Sequence, residues 1–334
     1  MAKKQLYLTY ALKNNIVTHI SEVESGLKCS CVCPSCGEQL IARKGSKRIH
    51  HFAHCSGQNC EYGYETSLHI AAKEIISRTK KFKVPDLYLK FSSYKKNLLI
   101  SAEKEIKVDD VKLEKRYGDI VPDIVLISNG EEMFVEIFVT HSIDNNKLEK
   151  LKRAGISTIE IDLSKIDHTI STEELSNIIL TDSSLKQWKY SVEEQEWLER
   201  FYNVSDSLDM VERAFTIHVD NCPIKSRVWN NKPYANFWHD CLYCEYCIST
   251  EGDVGFLCSG RQRIANLEDF NIPIEERIRD KDERLKIRKK GTKTEEKCPK
   301  CGSFLFINEN LIICGNHQGC NYKAQIDMDT GEII

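Results

Sequence analysis

The sequence predicts an α/β protein, a mixed sheet flanked by helices and accompanied by two or three small zinc-ribbon modules. Three observations lead there. The 15 cysteines fall in three clusters rather than being scattered. Between Cys60 and Cys222 there are none, so a metal-free folding unit is expected in the gap. Inside that gap the apolar residues follow helical spacing, then strand alternation, then helical spacing again.

The 334 residues are enough for two or three modules with modest cores. Neither an 18-residue apolar run nor the apolar stretch of a signal peptide is present. With an odd cysteine count at knuckle spacings, this predicts metal rather than disulfides, no membrane partner, and a reducing, cytoplasmic location. The expected division is 1–62, a β-rich zinc module; 63–185, the cysteine-free core; 186–258, a Cys/aromatic-rich module; 259–297, a charged helix and linker; and 298–334, a zinc ribbon. Charge follows the same division. Residues 1–62 hold 8 basic against 4 acidic side chains, and residues 186–258 hold 7 against 12. The first suits a phosphate backbone, and the second suits a protein partner. Residues 284–297, with seven basic groups against two acidic, read as a solvated helix and linker or as a phosphate-contacting patch.

In the N-terminal module, Cys33-Pro-Ser-Cys36-Gly37 is a knuckle, and His50-His-Phe-Ala-His54 follows it. Cys33, Cys36, His51 and His54 make the expected Cys2His2 zinc site. Cys29, Cys31, Cys55 and Cys60 are left over. Arg43, Lys44, Lys47 and Arg48 place cations on the intervening hairpin, either at a phosphate backbone or in solvent.

The core opens with a helix over 65–77, its apolar stripe formed by Leu68, Ala71, Ala72, Ile75 and Ile76. Glu65, His69 and Lys73 recur every four residues beside that stripe. Strands are expected at 87–91, 98–102, 120–127 and 133–140, the last two joined by a turn at Ser128-Asn-Gly130. An amphipathic helix then runs over 143–154, closed by Gly155, and a strand over 158–163 alternates cleanly.

Glu136 is out of place, lying inside Met133-Phe-Val-Glu-Ile-Phe-Val139, which is otherwise apolar on both faces. A carboxylate there needs a partner or a metal. Neighbouring strands can bring it beside Asp123 of Pro122-Asp123, a pair of oxygens suited to Mg²⁺. The plainer alternative has Asp123 capping a turn, Glu136 on a wet edge, and Glu65, His69 and Lys73 as surface pairs.

In the middle cluster, Cys241-Leu-Tyr-Cys244 with Cys222 and Cys258 forms a candidate third zinc site, although Cys247 competes with Cys244. Buried thiols among Trp229, Tyr234, Phe237 and Trp238 are the alternative. Cys298-Pro-Lys-Cys301-Gly302 and a hairpin leading to Cys314 and Cys320 make a four-thiolate ribbon.

Cys33-Pro-Ser-Cys36, Gly45, His50-His-Phe-Ala-His54, Glu65-x3-His69-x3-Lys73, Pro122-Asp123 and Glu136 together resemble the competence protein CoiA-like family, over residues 7–165. The resemblance implies a zinc-binding module joined to a PD-(D/E)XK nuclease domain acting on DNA. It carries over Glu65, Asp123 and Glu136 as active-site acids. The chain departs from the nuclease pattern at Phe138, where Glu-x-Lys calls for lysine. Lys147, Lys73 and His141 are candidates for the missing role. The C-terminal ribbon is similar to those ending type I topoisomerases, which implies nucleic-acid contact.

The leading expectation is a DNA nuclease using Mg²⁺ or Mn²⁺, its zinc ribbons positioning the substrate. Asp123 and Glu136 hold the metal, Glu65 completes its shell through water, and His141 or Lys147 orients the attacking water. A second expectation is a nuclease fold that binds DNA without cutting it. A third is a docking factor for a helicase or recombinase in DNA uptake, repair or phage defence.

Overall fold

The structure is a computed structural model. It describes residues 7–58, 60, 62–91, 97–140, 142–167, 170–213, 215–250, 256–279, 292–308, 311–315, 320 and 322–325. The chain divides into two compact units: 1–87 with 101–193, and 88–100 with 194–334.

The first unit begins with two small antiparallel hairpins, β1 (Tyr10–Lys13) with β2 (Ile16–His19), and β3 (Leu40–Arg43) with β4 (His51–His54). Helix α1 (Gly63–Ser77) follows. A third two-stranded pair, β5 (Lys81–Val84) with β6 (Lys104–Lys107), leads into the main sheet. That sheet contains β7 (Asp110–Leu113), β8 (Ile124–Ser128), β9 (Glu131–Phe138), β10 (Thr158–Asp162) and β11 (Lys186–Tyr190). Their spatial order is β11-β10-β9-β8-β7. Only β9 and β10 run parallel, and α2 (Asn145–Ala154) makes the crossover between them. Helix α3 (Thr172–Thr181) lies between β10 and β11 and opens with a capping box from Ser171 and Glu174.

Alternation along β8 and β9 fills both faces of this mixed sheet. Ile124, Leu126, Val135 and Ile137 pack with Leu68, Ala72 and Ile76 of α1 and Leu175 and Ile179 of α3. Val125 and Phe134 pack with Leu151 of α2 on the other face. Glu136 has the parity of Phe134 and therefore faces α2. The expected strand over 120–127 starts only at Ile124, because Tyr117 and Ile120 exchange turn hydrogen bonds of 2.8 and 3.0 Å just upstream. Strands β7 and β11 carry no sequence signal. They are the sheet edges, where charged residues such as Asp110, Lys112, Lys186 and Lys189 blunt the apolar alternation. The strand expected at 158–163 spans Thr158–Asp162 and is buried on both faces: Glu160 is 5% exposed, because the segment around Ser142 and Ile143 covers it.

In the second unit, Leu89 packs with Phe201 of the helix Val192–Asn203 and with Ile248, Leu257 and Ile264. A four-stranded sheet orders Met210–Arg213, Thr216–Asp220, Lys232–Asn236 and Arg227–Trp229. Another runs Thr292–Lys297, Phe304–Asn308, Leu311–Cys314 and Lys323–Gln325. Most of the basic run 284–297 lies outside the described residues. Among the described residues no helix is long and apolar enough to cross a membrane.

Lys186 gives the fold a pH signature. It is 6% exposed, donates to the Lys83 carbonyl at 2.6 Å and sits 4.0 Å from the centre of the Phe82 ring. Burial pushes its ammonium down to about 8 from the ordinary lysine value of 10.5. The folded state therefore binds fewer protons than the unfolded state between those values, so this group's destabilisation is full below pH 8 and fades toward 10.5. In denaturant melts, Lys186→Met is expected to gain stability relative to wild type at pH 7, and the gain should shrink as pH rises from 8 to 10.5. A pH-independent difference would contradict this.

Candidate functional site

Among the described residues, two four-ligand sets could hold zinc. In the first unit, ligand atoms of Cys33, Cys36, His54 and Cys60 lie within 4.8 Å of one another. In the second unit, Cys298, Cys301, Cys314 and Cys320 do the same. Both rest on one local fold. In each knuckle the glycine N–H reaches back to the first cysteine carbonyl, Gly37 to Cys33 at 2.9 Å and Gly302 to Cys298 at 2.8 Å. Each glycine sits at positive φ, +73° and +70°, where a side chain would be strained. The chemistry fits the metal: soft thiolate and imidazole donors closing a tetrahedral set. Cys301 is already inclined to ionise, since hydrogen bonding from Ser303 brings its thiol down to about 6.

The first set corrects the sequence reading. Cys60 takes the place expected of His51. His51 and His54 are three residues apart on one strand and so point to opposite faces. The His51 ring instead packs on Tyr7, and its Nδ1 lies 2.8 Å from the Ile49 carbonyl. Cys60 arrives from the turn leading into α1, its carbonyl bonded by the Gly63 N–H at 3.2 Å. Two of the surplus cysteines are core thiols: Cys29 donates to the Leu40 carbonyl and Cys31 to that of Cys29, and burial pushes the Cys31 thiol up to about 12.

The middle cysteines share one buried core. Cys222, Cys241, Cys247 and Cys258 pack together with Cys244 against them. Cys247 lies opposite Cys258 across an antiparallel strand pair, and the Gly260 N–H points at Cys258 Sγ at 3.4 Å. Burial, then the neighbouring thiols, raises the Cys241 and Cys258 thiols above their ordinary value. Cys222, Cys241, Cys244 and Cys258 do not form one of the two sets within 4.8 Å.

The acidic site is built where β8 begins and β9 ends. The antiparallel register pairs Ile124 with Val135, which carries Asp123 opposite Glu136. Asp123 Oδ2 accepts from the Ile137 N–H at 3.0 Å and from His69 Nε2 at 2.8 Å. Its Oδ1 meets Lys73 Nζ at 3.0 Å. Burial works against the charge, but His69, Lys73 and that N–H hold the carboxyl well below the usual carboxylate range. Lys73 also donates to Glu114 Oε1 at 2.9 Å. Glu114 itself adopts φ +50°, and its N–H bonds the Asp123 carbonyl at 3.1 Å.

Glu136 is 3% exposed. Its Oε2 accepts from Lys147 Nζ at 2.6 Å, and its Oε1 has no hydrogen-bond partner among the described residues. Burial and then the Asp123 charge push its carboxyl up to about 8, against the pull of Lys147. The lysine is held in place by its helix: Asp144 caps α2 and accepts from the Lys147 N–H at 2.6 Å. Glu160 is in register with Glu136 on the same face, but Ser142, the Ile143 N–H and Lys189 satisfy its oxygens.

Of the expected acidic-site residues, Asp123, Glu136 and Lys147 come together. Glu65 lies one helical turn before His69 on α1, and His141 lies outside the described residues. His69 and Glu114 were not expected as partners in the site. The four-residue spacing of Glu65, His69 and Lys73 could have revealed the first, whereas Glu114, in a left-handed turn residue, left no sequence signal. The hard oxygens suit Mg²⁺, and Glu136 Oε1 is an orphaned one, although both oxygens of Asp123 are already engaged, one by the Lys73 ammonium and the other by His69 and the Ile137 N–H.

Residues 17–63 match the family model of the competence protein CoiA, N-terminal domain. No curated protein matches the chain, and no solved structure does. The matched segment runs from β2 to the first residue of α1. It contains the whole first zinc set and ends before Glu65.

The ligand exchange is testable by elemental analysis. Cys60→Ala is expected to lose one zinc per chain, while His51→Ala keeps the wild-type count. The reverse pattern would restore the Cys2His2 assignment.

Proposed function

We propose that the chain is a metal-dependent DNA nuclease acting in DNA uptake, its zinc modules positioning the nucleic acid. The observation that carries this reading is Glu136. It is a buried carboxylate with one oxygen unpartnered, beside Asp123 and touched by a lysine. The match of residues 17–63 to the CoiA N-terminal domain supports the link to competence.

Asp123 and Glu136 would hold Mg²⁺ or Mn²⁺, which when bound supplies charge neutralisation at the phosphate and an acidified water. Lys147 brings a cation to Glu136 from α2, replacing the lysine that Phe138 displaces from the strand. Its ammonium is placed to stabilise charge developing on the scissile phosphate. His69 and Lys73 fix the Asp123 carboxylate, so its orientation does not depend on solvent. Glu65, on the same face of α1, reaches the site through water. The basic N-terminal module adds sequence-independent phosphate contact.

The second reading, a nuclease fold that binds DNA without cutting, draws on Lys73. Its ammonium lies between Asp123 and Glu114, where it competes with a metal for the same oxygens.

A cleavage panel separates the two. Purified protein with Mg²⁺ or Mn²⁺ is expected to cut single-stranded, double-stranded or branched DNA. Glu136→Ala and Lys147→Met should each lower the rate on the order of 10²-fold, as loss of a preorganised charge does. Salt-dependent binding that survives Asp123→Ala, with no cutting of any substrate, would select the second reading. Zinc analysis should return two per chain, falling to one in Cys298→Ser.

A further inference from the structure

The loop joining β3 to β4 gathers cations that the fold leaves without counter-charges. From Gln39 to Cys60 the chain has two arginines, two lysines and three histidines, and no carboxylate. Like charges collected in this way repel one another, which costs the folded state unless a polyanion answers them.

The four cations have different roles. Lys44 Nζ donates to the Ser21 and Val23 carbonyls at 3.2 and 2.8 Å, tying one end of the loop to the segment after β2. His51 holds the other end: its Nδ1 donates to the Ile49 carbonyl at 2.8 Å, and its ring packs on Tyr7. Arg43, Lys47 and Arg48 are exposed and enter no ion pair among the described residues. Arg43 alternates with Ala42, which is buried in the module's core, so it lies on the outward face of the ribbon. Cations elsewhere in the same unit are answered: Lys81 by Glu105, Lys83 by Glu103, Lys107 by Asp109 and Lys150 by Asp119.

The surroundings narrow the partner. Ile49, 43% exposed, is the one large apolar side chain the loop offers, and a membrane surface needs a whole apolar face. Duplex DNA carries one charge per about 1.7 Å of its axis, a density at which three cations within six residues each find a phosphate. A two-stranded ribbon also has the width to enter its major groove. We propose that the loop 43–50 docks duplex DNA, with Arg43, Lys47 and Arg48 on its phosphates and Lys44 and His51 holding the loop in place. This deepens the nucleic-acid part of the reading above and rests on it, but it requires neither the acidic site nor cutting.

Fluorescence anisotropy of a labelled duplex, titrated with the full chain over a range of salt and without added divalent metal, tests this. Lys47→Gln is expected to lower the slope of log K against log salt by about 0.9. The combined variant Arg43→Gln, Lys47→Gln, Arg48→Gln should lower it by about 2.7 and weaken binding on the order of 10²-fold at ~0.1 M salt. Zinc content should stay at the wild-type value in both, since the altered side chains are exposed. Absence of duplex binding overturns the proposal, as does a slope unchanged in both variants. So does tighter binding of the same sequence as a single strand, or binding to phosphatidylserine vesicles that the combined variant loses while duplex binding stays. Duplex binding with the expected slopes but no cutting under Mg²⁺ would count against the nuclease reading alone. Cutting with unchanged slopes would count against the loop alone.

Discussion

The hydrogen bond from the Ile137 N–H to Asp123 ties the start of one strand to the end of its neighbour. The acidic site depends on that tie. It places a carboxylate at the mouth of β8 next to the residue after Glu136. The parity of β9 then sends Glu136 to the α2 face while Ile137 packs toward α1. Two carboxylates that close, Glu136 buried and Asp123 partly buried, repel each other, and the surrounding residues answer that repulsion with nitrogen donors. His69 and Lys73 come from one helix and Lys147 from another. One acid is consequently held ionised and the other is pushed toward neutrality, the kind of divergence that marks paired carboxylates with separate roles.

Helix α1 connects this site to the first zinc set. Cys60 lies in the turn that starts the helix, and His69 and Lys73 project from it two and three turns later. A metal held by Cys33, Cys36, His54 and Cys60 would therefore anchor the end of the element that orients Asp123. The same helix turns its opposite face to a cavity lined by Tyr10 and His19. All of these places meet one helix of 15 residues.

The two knuckles form from local rules alone. A proline after the first cysteine and a glycine after the second give the same backbone bond and the same positive φ in both, although they lie in different units. Ligand choice is less local. The strand that supplies His54 turns His51 away, and the fourth ligand comes from beyond the hairpin. The middle cysteines show the other extreme: CxxC spacing brings Cys241 and Cys244 close, yet burial in an aromatic and aliphatic core decides their surroundings.

By itself the sequence determined the two cysteine knuckles, the two helices at 65–77 and 143–154, and the oddity of Glu136, but not the compact units, since the first cysteine cluster shares one with the cysteine-free segment. These are signals carried by spacing, periodicity and a single charge in an apolar run. Tertiary structure decided which side chains answer that charge. Lys147 reaches Glu136 across a crossover of 11 residues. Glu114 meets Lys73 from 41 residues away, and His69 meets Asp123 from 54. The edge strands β7 and β11 were likewise invisible, because a charged edge gains its hydrogen bonds from the sheet and not from its own pattern. Periodicity says which face a residue takes. Only the closed fold says what stands opposite it.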